Sequence, residues 1–178
     1  PNQFLNIIPE KYKTSFQKIN KINMAPIIGI HLWFDKHFFT EKFMVVLKSP
    51  IQWIFNDSEI KNSNSNTQHI VISLSNAWEW KNKSKKLIKE IFISEINKLF
   101  PESQNCKLIN FSVIKMFNAT FRCQPGIQKI RPNNRTNITG LYLSGDWVQS
   151  DWPSTMEAAV ISAKKTITDI KKDFSSII

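Results

Sequence analysis

The feature that most constrains the fold lies near the carboxyl end, where residues 141–166 read LYLSGDWVQSDWPSTMEAAVISAKKT. The apolar run from Leu141 to Ser144 predicts a short buried strand, a loop begins at Gly145, and a helical pattern extends from Pro153 to Lys172. Proline suits the first turn of a helix because its missing N–H would have no partner there. A strand, a loop and a helix in this order are typical of layered folds in which helices cover a sheet.

The loop of this segment combines two features that favour a polar ligand. Asp146 follows the predicted strand, and open α/β sheets bind ligands at the carboxyl ends of their strands. The predicted helix start, with Ser154 and Thr155, offers free N–H groups and a partial positive charge, which suit an anion or an electron-rich carbonyl. A carboxylate at Asp146 can also accept hydrogen bonds from the hydroxyls of a sugar-alcohol chain. On these residues alone, an ordinary strand–turn–helix with Asp146 as a turn or capping residue remains an alternative.

The rest of the chain alternates between predicted strands, helices and polar connectors. The patterns predict helices at Glu10 to Ile22 and Lys83 to Phe100, strands at Ile27 to Phe34, Phe43 to Leu47, Ile51 to Phe55, His69 to Ser75 and Leu108 to Met116, a surface loop at Asp57 to Thr67, and a connector at Gln124 to Thr139. This order predicts an α/β fold with mixed α+β character. A domain boundary in the connector gives domains of residues 1–123 and 124–178.

The composition narrows the classes of function. The formal net charge is +10, but lysine supplies 21 of the 24 basic residues, and arginine, the usual reader of bases and phosphates, supplies only three. We interpret the lysines as a solvated surface and keep a basic nucleic-acid-binding module only as a distant alternative. His31, His37 and His69, with Cys106 and Cys123, do not follow the spacing of a metal site. No apolar run is long enough for a transmembrane helix, so we expect a cytoplasmic protein.

Four segments resemble those of one known superfamily. The segment LYLSGDWVQSDWPSTMEAAVISA resembles the closing signature of the flavin-containing amine oxidoreductases, in which a Gly-Asp pair, a short loop, Met-Glu-Gly-Ala and Ser-Gly follow an aliphatic strand. The other three are APIIGIHLWFD, SPIQWIFN and IKMFNATFRCQPGIQKIRP, in the order and spacing of that family. Within it, the chain is most similar to phytoene desaturases and to squalene-associated FAD-dependent desaturases, the hydroxysqualene dehydroxylases.

The resemblance implies a two-domain flavoprotein. Residues 1–123 would form part of a substrate-binding domain, a mixed sheet with helices, and residues 124–178 would form the C-terminal strand–loop–helix of a split, Rossmann-like FAD-binding domain. It implies that FAD contacts Gly145, Asp146, Trp147, Trp152, Pro153, Ser154, Thr155 and Met156, with Asp146 at the ribityl or pyrophosphate region and N–H groups around Thr155 and Met156 at the flavin ring. His31, Trp33 and Trp53 are the candidates for the substrate cavity, and no catalytic side chain is implied.

The chain departs from the family pattern in two ways. Ala158 and Ala163 stand where the family has glycine, and an added methyl at either position is expected to oppose close approach of the helix to the flavin or to its packing partner. The chain's four glycines form no GxGxxG turn, the element that binds the ADP half of FAD in this superfamily. We therefore expect a C-terminal half that needs a missing N-terminal FAD-binding half and that by itself binds FAD weakly or not at all.

The resemblance implies part of an FAD-dependent oxidoreductase that transfers hydride between flavin and a squalene- or carotenoid-like isoprenoid. The reaction would be removal of a hydroxyl from hydroxysqualene or desaturation of a carotenoid in terpenoid biosynthesis. A lipid substrate and a lysine-rich surface also predict peripheral contact with a membrane. The alternative is a catalytically incomplete remnant, or a partner subunit, of such a flavoprotein.

Overall fold

The chain folds as two compact units in a computed structural model that describes residues 1–62 and 65–175. We call Ala25–Ala119 the sheet unit, and Pro1–Met24 together with Thr120–Ile178 the terminal unit. The sequence predicted a domain boundary between residues 123 and 124. The chain passes from the sheet unit back to the terminal unit close to that point, between Ala119 and Thr120. The first 24 residues, however, fold with the carboxyl-terminal segment and not with the sheet, because Phe16 and Ile19 pack against Leu143 and Val148.

Five helices and five strands form the framework of the described residues. The helices are α1 (Asn2–Ile7), α2 (Glu10–Lys13), α3 (Asp57–Ile60), α4 (Lys85–Leu99) and α5 (Met156–Phe174). The strands are β1 (Met24–Phe34), β2 (Phe43–Val45), β3 (Trp53–Asn56), β4 (Gln68–Ser75) and β5 (Leu108–Phe121). Short 3₁₀ helices cover Thr14–Lys21, Trp78–Trp80, Pro101–Asn105 and Ile127–Lys129.

The five strands form one antiparallel sheet in the order β2-β3-β4-β1-β5. In β1 and β4, residues on one face are buried and their neighbours are partly exposed, as a half-buried strand requires. The register of these two strands places Trp33 opposite His69 and His31 opposite Val71. The expected α/β class with α+β character is confirmed, although the sheet is antiparallel where a mixed sheet was expected.

Helix α4 covers the buried face of the sheet. Ser84 caps it by accepting a hydrogen bond from the N–H of Leu87, the arrangement that serine at an N-cap favours. Ile88, Phe92 and Ile96, spaced four residues apart, are fully buried against the core-facing isoleucines and leucines of the strands. The core of the sheet unit therefore lies on one side of the sheet, and the opposite face is not covered by residues of this unit's core.

The predicted surface loop from Asp57 to Thr67 is wrong in its first part. Residues Asp57–Ile60 form α3 because the buried side chain of Asn56 accepts a hydrogen bond from the N–H of Glu59, which nucleates a helical turn. The remainder of that prediction includes residues 63 and 64, which lie outside the described residues. Asp57 thereby occupies the first position of α3 at the end of β3.

The terminal unit also corrects three predicted elements. The helix expected from Glu10 to Ile22 is divided into α2 and a 3₁₀ segment, with a kink at Phe16. The strand expected from Leu141 to Ser144 is reduced to one bridge between Arg135 and Tyr142 among the described residues. Helix α5 begins at Met156 and not at Pro153, because Thr155 takes the N-cap position with extended backbone angles. Among the described helices, none combines the length and apolar character needed to cross a membrane.

Candidate functional site

The loop before α5 is held in shape by a buried arginine. Arg131 is 5% exposed, and its Nη1 and Nη2 atoms donate hydrogen bonds to the backbone oxygens of Asp146 (2.9 Å), Ser150 (3.0 Å) and Trp152 (3.1 Å). The guanidinium also lies 5.1 Å from the ring centroid of Phe121, at a distance that favours a cation–π interaction. One side chain thus holds three backbone positions of the loop between Gly145 and Pro153.

Burial of the charged Arg131 side chain has an electrostatic cost. Burial lowers its pKa below the ordinary value, while Cys123 and Asp146 act in the opposite direction. Its Nε atom is buried without a hydrogen-bond partner in the part of the chain that the structure describes. The sequence interpretation missed this role because the contacts are made to backbone oxygens 15 to 21 residues away. Its signal in the sequence was the scarcity of arginine in a chain rich in lysine.

Asp146 and Ser154, both predicted to bind the cofactor, are brought together by this loop. The Oγ of Ser154 donates a hydrogen bond to Oδ2 of Asp146 and also contacts Oγ1 of Thr120. Asp146 is half-buried, and its Oδ1 has no hydrogen-bond partner within residues 1–62 and 65–175. The carboxylate is therefore oriented by one hydroxyl and keeps one oxygen for a further donor.

The start of α5 is capped on one side and open on the other. Thr155 accepts a hydrogen bond from the N–H of Ala158 (3.1 Å) through its hydroxyl. The N–H groups of Met156 and Glu157 have no acceptor among the described residues, and Met156 is 89% exposed. The predicted free helix start is thus reduced to two donors, which carry the positive end of the helix dipole.

Gly145 and Trp147 determine the backbone path into the loop. Gly145 has φ of +132°, and a Cβ atom there would lie 2.8 Å from the indole of Trp147. Trp147 packs inward, with its ring 5.9 Å from that of Phe4, in the apolar cluster of the terminal unit. Trp152 and Pro153, in contrast, are exposed. A flavin contact for each of these residues stays a prediction.

A second buried polar residue, also missed from the sequence, ties this backbone to α5. Asn134 is 1% exposed, and its Nδ2 lies within hydrogen-bonding distance of Leu143 O (3.1 Å), Ser162 Oγ (2.8 Å) and Thr166 Oγ1 (2.9 Å). The Oγ of Ser162 in turn accepts a hydrogen bond from the N–H of Gly145 (3.1 Å). Ser162, which belongs to the Ser-Gly position of the resembled signature, therefore positions the glycine that starts the loop.

The three candidate substrate residues lie in the sheet unit, on the face of the sheet that points away from its core. His31 and Trp33 occupy alternate positions of β1, and Trp53, which is 40% exposed, lies on β3. The rings of Trp53 and Phe55 are nearly parallel, with centroids 5.9 Å apart. The structure thus places all three on one aromatic surface, and their contact with a substrate stays a prediction.

His31 is part of a hydrogen-bonded chain of three side chains on this surface. Its Nδ1 lies 3.1 Å from Nε2 of His69, and Nδ1 of His69 lies 2.9 Å from Oδ2 of Asp57. The same carboxylate oxygen is paired with Lys61 at 2.7 Å. The ring of Trp33 stacks on that of His69, with centroids 4.3 Å apart and planes 4° apart. Sequence reasoning missed this group because His31 and His69 are 38 residues apart and meet only through the pairing of β1 with β4.

The charges around this chain favour a neutral His31 and an ionised Asp57. Burial lowers the pKa of His31 from its usual value, with further lowering by His69 and Lys61 and opposition from Asp57. Burial works against ionisation of Asp57, yet its hydrogen bonds from Lys61 and His69 hold the pKa of that carboxyl below its usual range. The group therefore has a fixed negative end and a neutral, partly exposed end.

The fold is shared with known oxidoreductases. A putative protoporphyrinogen oxidase from Exiguobacterium sp. superposes with a TM-score of 0.67 at 13% identity, over 89% of this chain and 37% of that protein. An oxidoreductase from Methanosarcina mazei gives a TM-score of 0.66, also at 13% identity, over 92% of this chain and 39% of that protein. At this level of identity, the likeness shows the fold alone.

The sequence comparisons go one step further. A family model described as flavin containing amine oxidoreductase matches residues 6–170, and the chain belongs to this family. A 15-cis-phytoene desaturase of an Oncidium hybrid cultivar is 28% identical over 97% of this chain, and that of Synechococcus elongatus is 26% identical over 90%. The chain spans about a third of the length of these relatives, 31% and 36% respectively. The predicted resemblance to the flavin-containing and phytoene desaturase-like proteins is therefore confirmed.

Membership in this family implies a flavin as cofactor, and the residues of the terminal unit fit such a group. The two unpartnered N–H groups at the start of α5 suit an electron-rich carbonyl, and the free oxygen of Asp146 suits a hydroxyl donor.

Proposed function

We propose that the chain is the carboxyl-terminal part of an FAD-dependent enzyme that desaturates a carotenoid-like isoprenoid. The observation that carries the proposal is the match of nearly the whole chain to 15-cis-phytoene desaturases within a flavin-dependent family. A Synechococcus elongatus protein described as a probable zeta-carotene desaturase is 30% identical over 44% of this chain, which supports the same substrate class. Hydroxysqualene dehydroxylation, the other predicted reaction, stays an alternative.

In this proposal, FAD is held by the loop and helix start of the terminal unit. Asp146, oriented by Ser154, would accept a hydrogen bond from a cofactor hydroxyl, and the unpartnered N–H groups of Met156 and Glu157 would donate to an electron-rich carbonyl of the ring. A flavin in such a site supplies a two-electron acceptor for hydride, and positive dipoles at the helix start stabilise charge on the ring. Arg131 maintains the loop without touching the cofactor.

The open face of the sheet is the proposed binding surface for the hydrocarbon chain. Trp33, Trp53 and Phe55 line it with aromatic rings, and Phe43 adds an apolar side chain that is 60% exposed. A long polyene or its saturated precursor has no polar groups, so that binding depends on apolar area and flat rings. A narrow set of polar groups, of which His31 is one, would then locate the reacting carbons.

Completion by another polypeptide segment is part of the proposal. The relatives contain about two-thirds of their length beyond the part matched here, and the chain has no GxGxxG turn for the ADP half of FAD. We propose that an N-terminal half with that turn completes the site. The remnant or partner-subunit alternative predicts that no such half restores activity.

Contact with a membrane surface is proposed for the β5 side of the sheet unit. Lys81 lies over the rings of Trp78 (5.4 Å) and Phe117 (5.3 Å), and Ile114 and Met116 are more than half exposed. Mixed lysine and apolar groups bind anionic bilayers through charge and partial burial. A cytoplasmic location at such a surface is the expectation, and sedimentation with anionic and with neutral vesicles tests it.

The decisive experiment is reconstitution. The chain is purified alone and together with a GxGxxG-bearing half, desalted, and examined for flavin absorbance and for conversion of phytoene and of hydroxysqualene. We expect retained flavin and phytoene conversion only with the added half, and strong loss of flavin in the Asp146→Asn variant. Flavin retained by the isolated chain contradicts the division of the site, and conversion of hydroxysqualene alone selects the other reaction.

A further inference from the structure

Helix α5 has two stripes of side chains, and the terminal unit uses only one of them. The first stripe is buried: Ala158, Ser162 and Thr166 lie four residues apart on the side that packs on the unit, where Ser162 and Thr166 contact the side chain of Asn134. The second, which we call the outer stripe, consists of the exposed residues Met156, Val160, Ala163, Ile167 and Ile170. Since successive residues of an α-helix are rotated by ~100°, the outer stripe lies roughly 120° around the helix from the buried one.

The outer stripe has the regularity of a packing surface. Its positions alternate between four and three residues apart, the spacing at which side chains form one continuous seam along a helix. Met156 is 89% exposed, Ile167 54% and Val160 48%, and no residue of the stripe belongs to the apolar clusters of the described residues. Single exposed apolar side chains are ordinary on a protein surface. An uninterrupted seam along most of a 19-residue helix indicates a contact with something else.

The charges on α5 are divided between its two stripes. Asp169 and Asp173 turn toward the terminal unit, where their carboxylates lie 3.9 Å and 2.7 Å from Nη2 of Arg135. Lys164 and Lys171 lie along one edge of the outer stripe and have no ion-pair partner within residues 1–62 and 65–175. The outward surface of α5 is therefore apolar with a positive edge, and it fits an apolar surface that has carboxylates beside it.

Met156 connects the outer stripe to the proposed flavin site. It is the first residue of the stripe, and its N–H is one of the two at the start of α5 that have no acceptor among the described residues. A polypeptide that brings the missing phosphate-binding turn to the same cofactor must therefore pass close to the outer stripe. The relatives have enough further polypeptide for this, since the chain spans only 31% of the length of the Oncidium protein.

A second copy of the chain and a bilayer both fit the outer stripe less well. In an antiparallel pair of α5 helices the lysine edges would face each other, and in a parallel pair Lys164 and Lys171 would face the uncharged Ala159 and Thr166. A standard interface has about 20–30 residues a side, so a stripe of this size fits as one strip of a larger contact. Helices that lie on membranes have a broader apolar face with bulky residues, whereas this seam is narrow and has alanine at its centre.

We propose that the outer stripe of α5 is the docking surface for a helix of the N-terminal half that completes the flavin site. The inference rests on the proposed function. The docked helix carries apolar residues three and four positions apart, with carboxylates that face Lys164 and Lys171. Ala163, at the centre of the seam, has the smallest side chain of the outer stripe, so the two helix axes come closest at this point. Docking beside Met156 brings the added half to the flavin loop.

The first test measures the affinity of the chain for the GxGxxG-bearing half used in reconstitution, by calorimetric titration in the presence of FAD. Ile167→Lys places a charge in the seam and should weaken association about 10-fold or more, since the burial of an isoleucine side chain is lost. Thr168→Lys is the matched control, because it adds the same side chain at the next position, which is exposed and outside the stripe, and it should leave the affinity unchanged. Both variants should unfold at the wild-type urea midpoint, which separates docking from folding.

The second test changes the size of residue 163. Ala163→Leu should weaken association with the half about 10-fold, because the larger side chain keeps the two helices apart, and Ala163→Gly should not weaken it. The same variants of the chain alone are examined for self-association by sedimentation equilibrium and for binding to vesicles of phosphatidylcholine and phosphatidylserine. A stripe that binds lipid would gain affinity from Ala163→Leu, since leucine adds apolar area.

The outcomes separate the docking surface from the proposed function. Weaker association of Ile167→Lys and Ala163→Leu, with Thr168→Lys unchanged, supports the docking surface. An Ile167→Lys variant that associates like the wild type contradicts the docking surface and leaves the proposed function intact. Self-association or vesicle binding that Ile167→Lys abolishes assigns the stripe to a second copy or to lipid, and also contradicts it. A wild-type chain that does not associate with the half contradicts the completion of the site in the proposed function, and with it the docking surface.

Discussion

Replacing Arg131 by Met should strongly destabilise the loop between Gly145 and Pro153. The change to Met keeps an unbranched apolar stem but removes the guanidinium that donates to the backbone oxygens of Asp146, Ser150 and Trp152. A hydrogen bond to a charged group contributes about 1.5–3 kcal/mol net, and the three to the loop are lost together with a fourth to Oε1 of Gln128. Part of this loss is offset, because the guanidinium no longer has to be desolvated.

The balance gives an expected destabilisation of about 3 kcal/mol. Urea unfolding followed by tryptophan fluorescence should show a fall of roughly 1–3 M in the midpoint, since typical m-values are about 1–3 kcal/mol/M. Flavin binding in the completed protein should weaken in parallel, because the loop carries Asp146.

Arg122 provides the matched control. It is exposed, and Arg122→Met removes the same charge without the three loop contacts, so that its stability should change by no more than about 0.5 kcal/mol. Equal midpoints for Arg131→Met and Arg122→Met would refute the reasoning, since water or other side chains would then satisfy the loop oxygens.

Three further changes test the loop, the helix start and the histidine chain. Gly145→Ala should cost about 1–3 kcal/mol in urea unfolding, because alanine disfavours φ of +132° and its methyl would lie 2.8 Å from the Trp147 ring; an unchanged midpoint contradicts this geometry. Thr155→Ala should lower the free energy of unfolding by about 1 kcal/mol, and Thr155→Ser should lower it much less. Equal losses in the two variants would contradict a role of the Thr155 hydroxyl as the N-cap. Stability should fall as the pH drops below 6.5, because His31 has a lowered pKa in the folded chain and binds a proton more readily when unfolded; thermal unfolding across this range should show the effect reduced in His31→Gln.

The periodic patterns of the sequence identified the sheet unit well. Ile70, Ile72 and Leu74 alternate in the sequence and are all fully buried on one face of β4. The apolar stripe of α4 was correct in its central residues, although Leu87 is 37% exposed. Such patterns succeed because burial on one side is the dominant force on a half-covered strand or helix.

Local patterns failed where the partner of a segment decides its structure. Strand β5 continues to Phe121, beyond the predicted end at Met116. It is held by its hydrogen-bonded neighbour β1 and does not show a regular alternation of buried and exposed residues. The segment from Leu141 to Ser144 looks like a buried strand, yet among the described residues it forms only the Arg135–Tyr142 bridge. A strand of that type needs neighbours to pair with, and apolar content alone cannot supply them.

The polar parts of both candidate sites were beyond the reach of sequence patterns. Arg131 and Asn134 act on atoms that approach only after folding, and the group of His31, His69 and Asp57 depends on strand register and on the cap that starts α3. The resemblance to a flavoprotein family pointed to Asp146 and Ser154, which the structure brings into contact in one loop, because that motif is contiguous in the chain. Groups assembled from distant segments have no comparable local signal.

The two alanines that replace family glycines affect different surfaces. Ala158 is 1% exposed and shares with Ser162 and Thr166 a stripe of buried positions four residues apart on α5, whereas Ala163 is exposed. A methyl that is buried in the stripe stabilises the helix, since glycine there would leave a void and reduce helix propensity by about 1 kcal/mol. The methyl of Ala158 is therefore accommodated by the terminal unit's own core. Ala163 is exposed, so within the described residues its methyl opposes no close packing, and any effect of it depends on the N-terminal half that we propose.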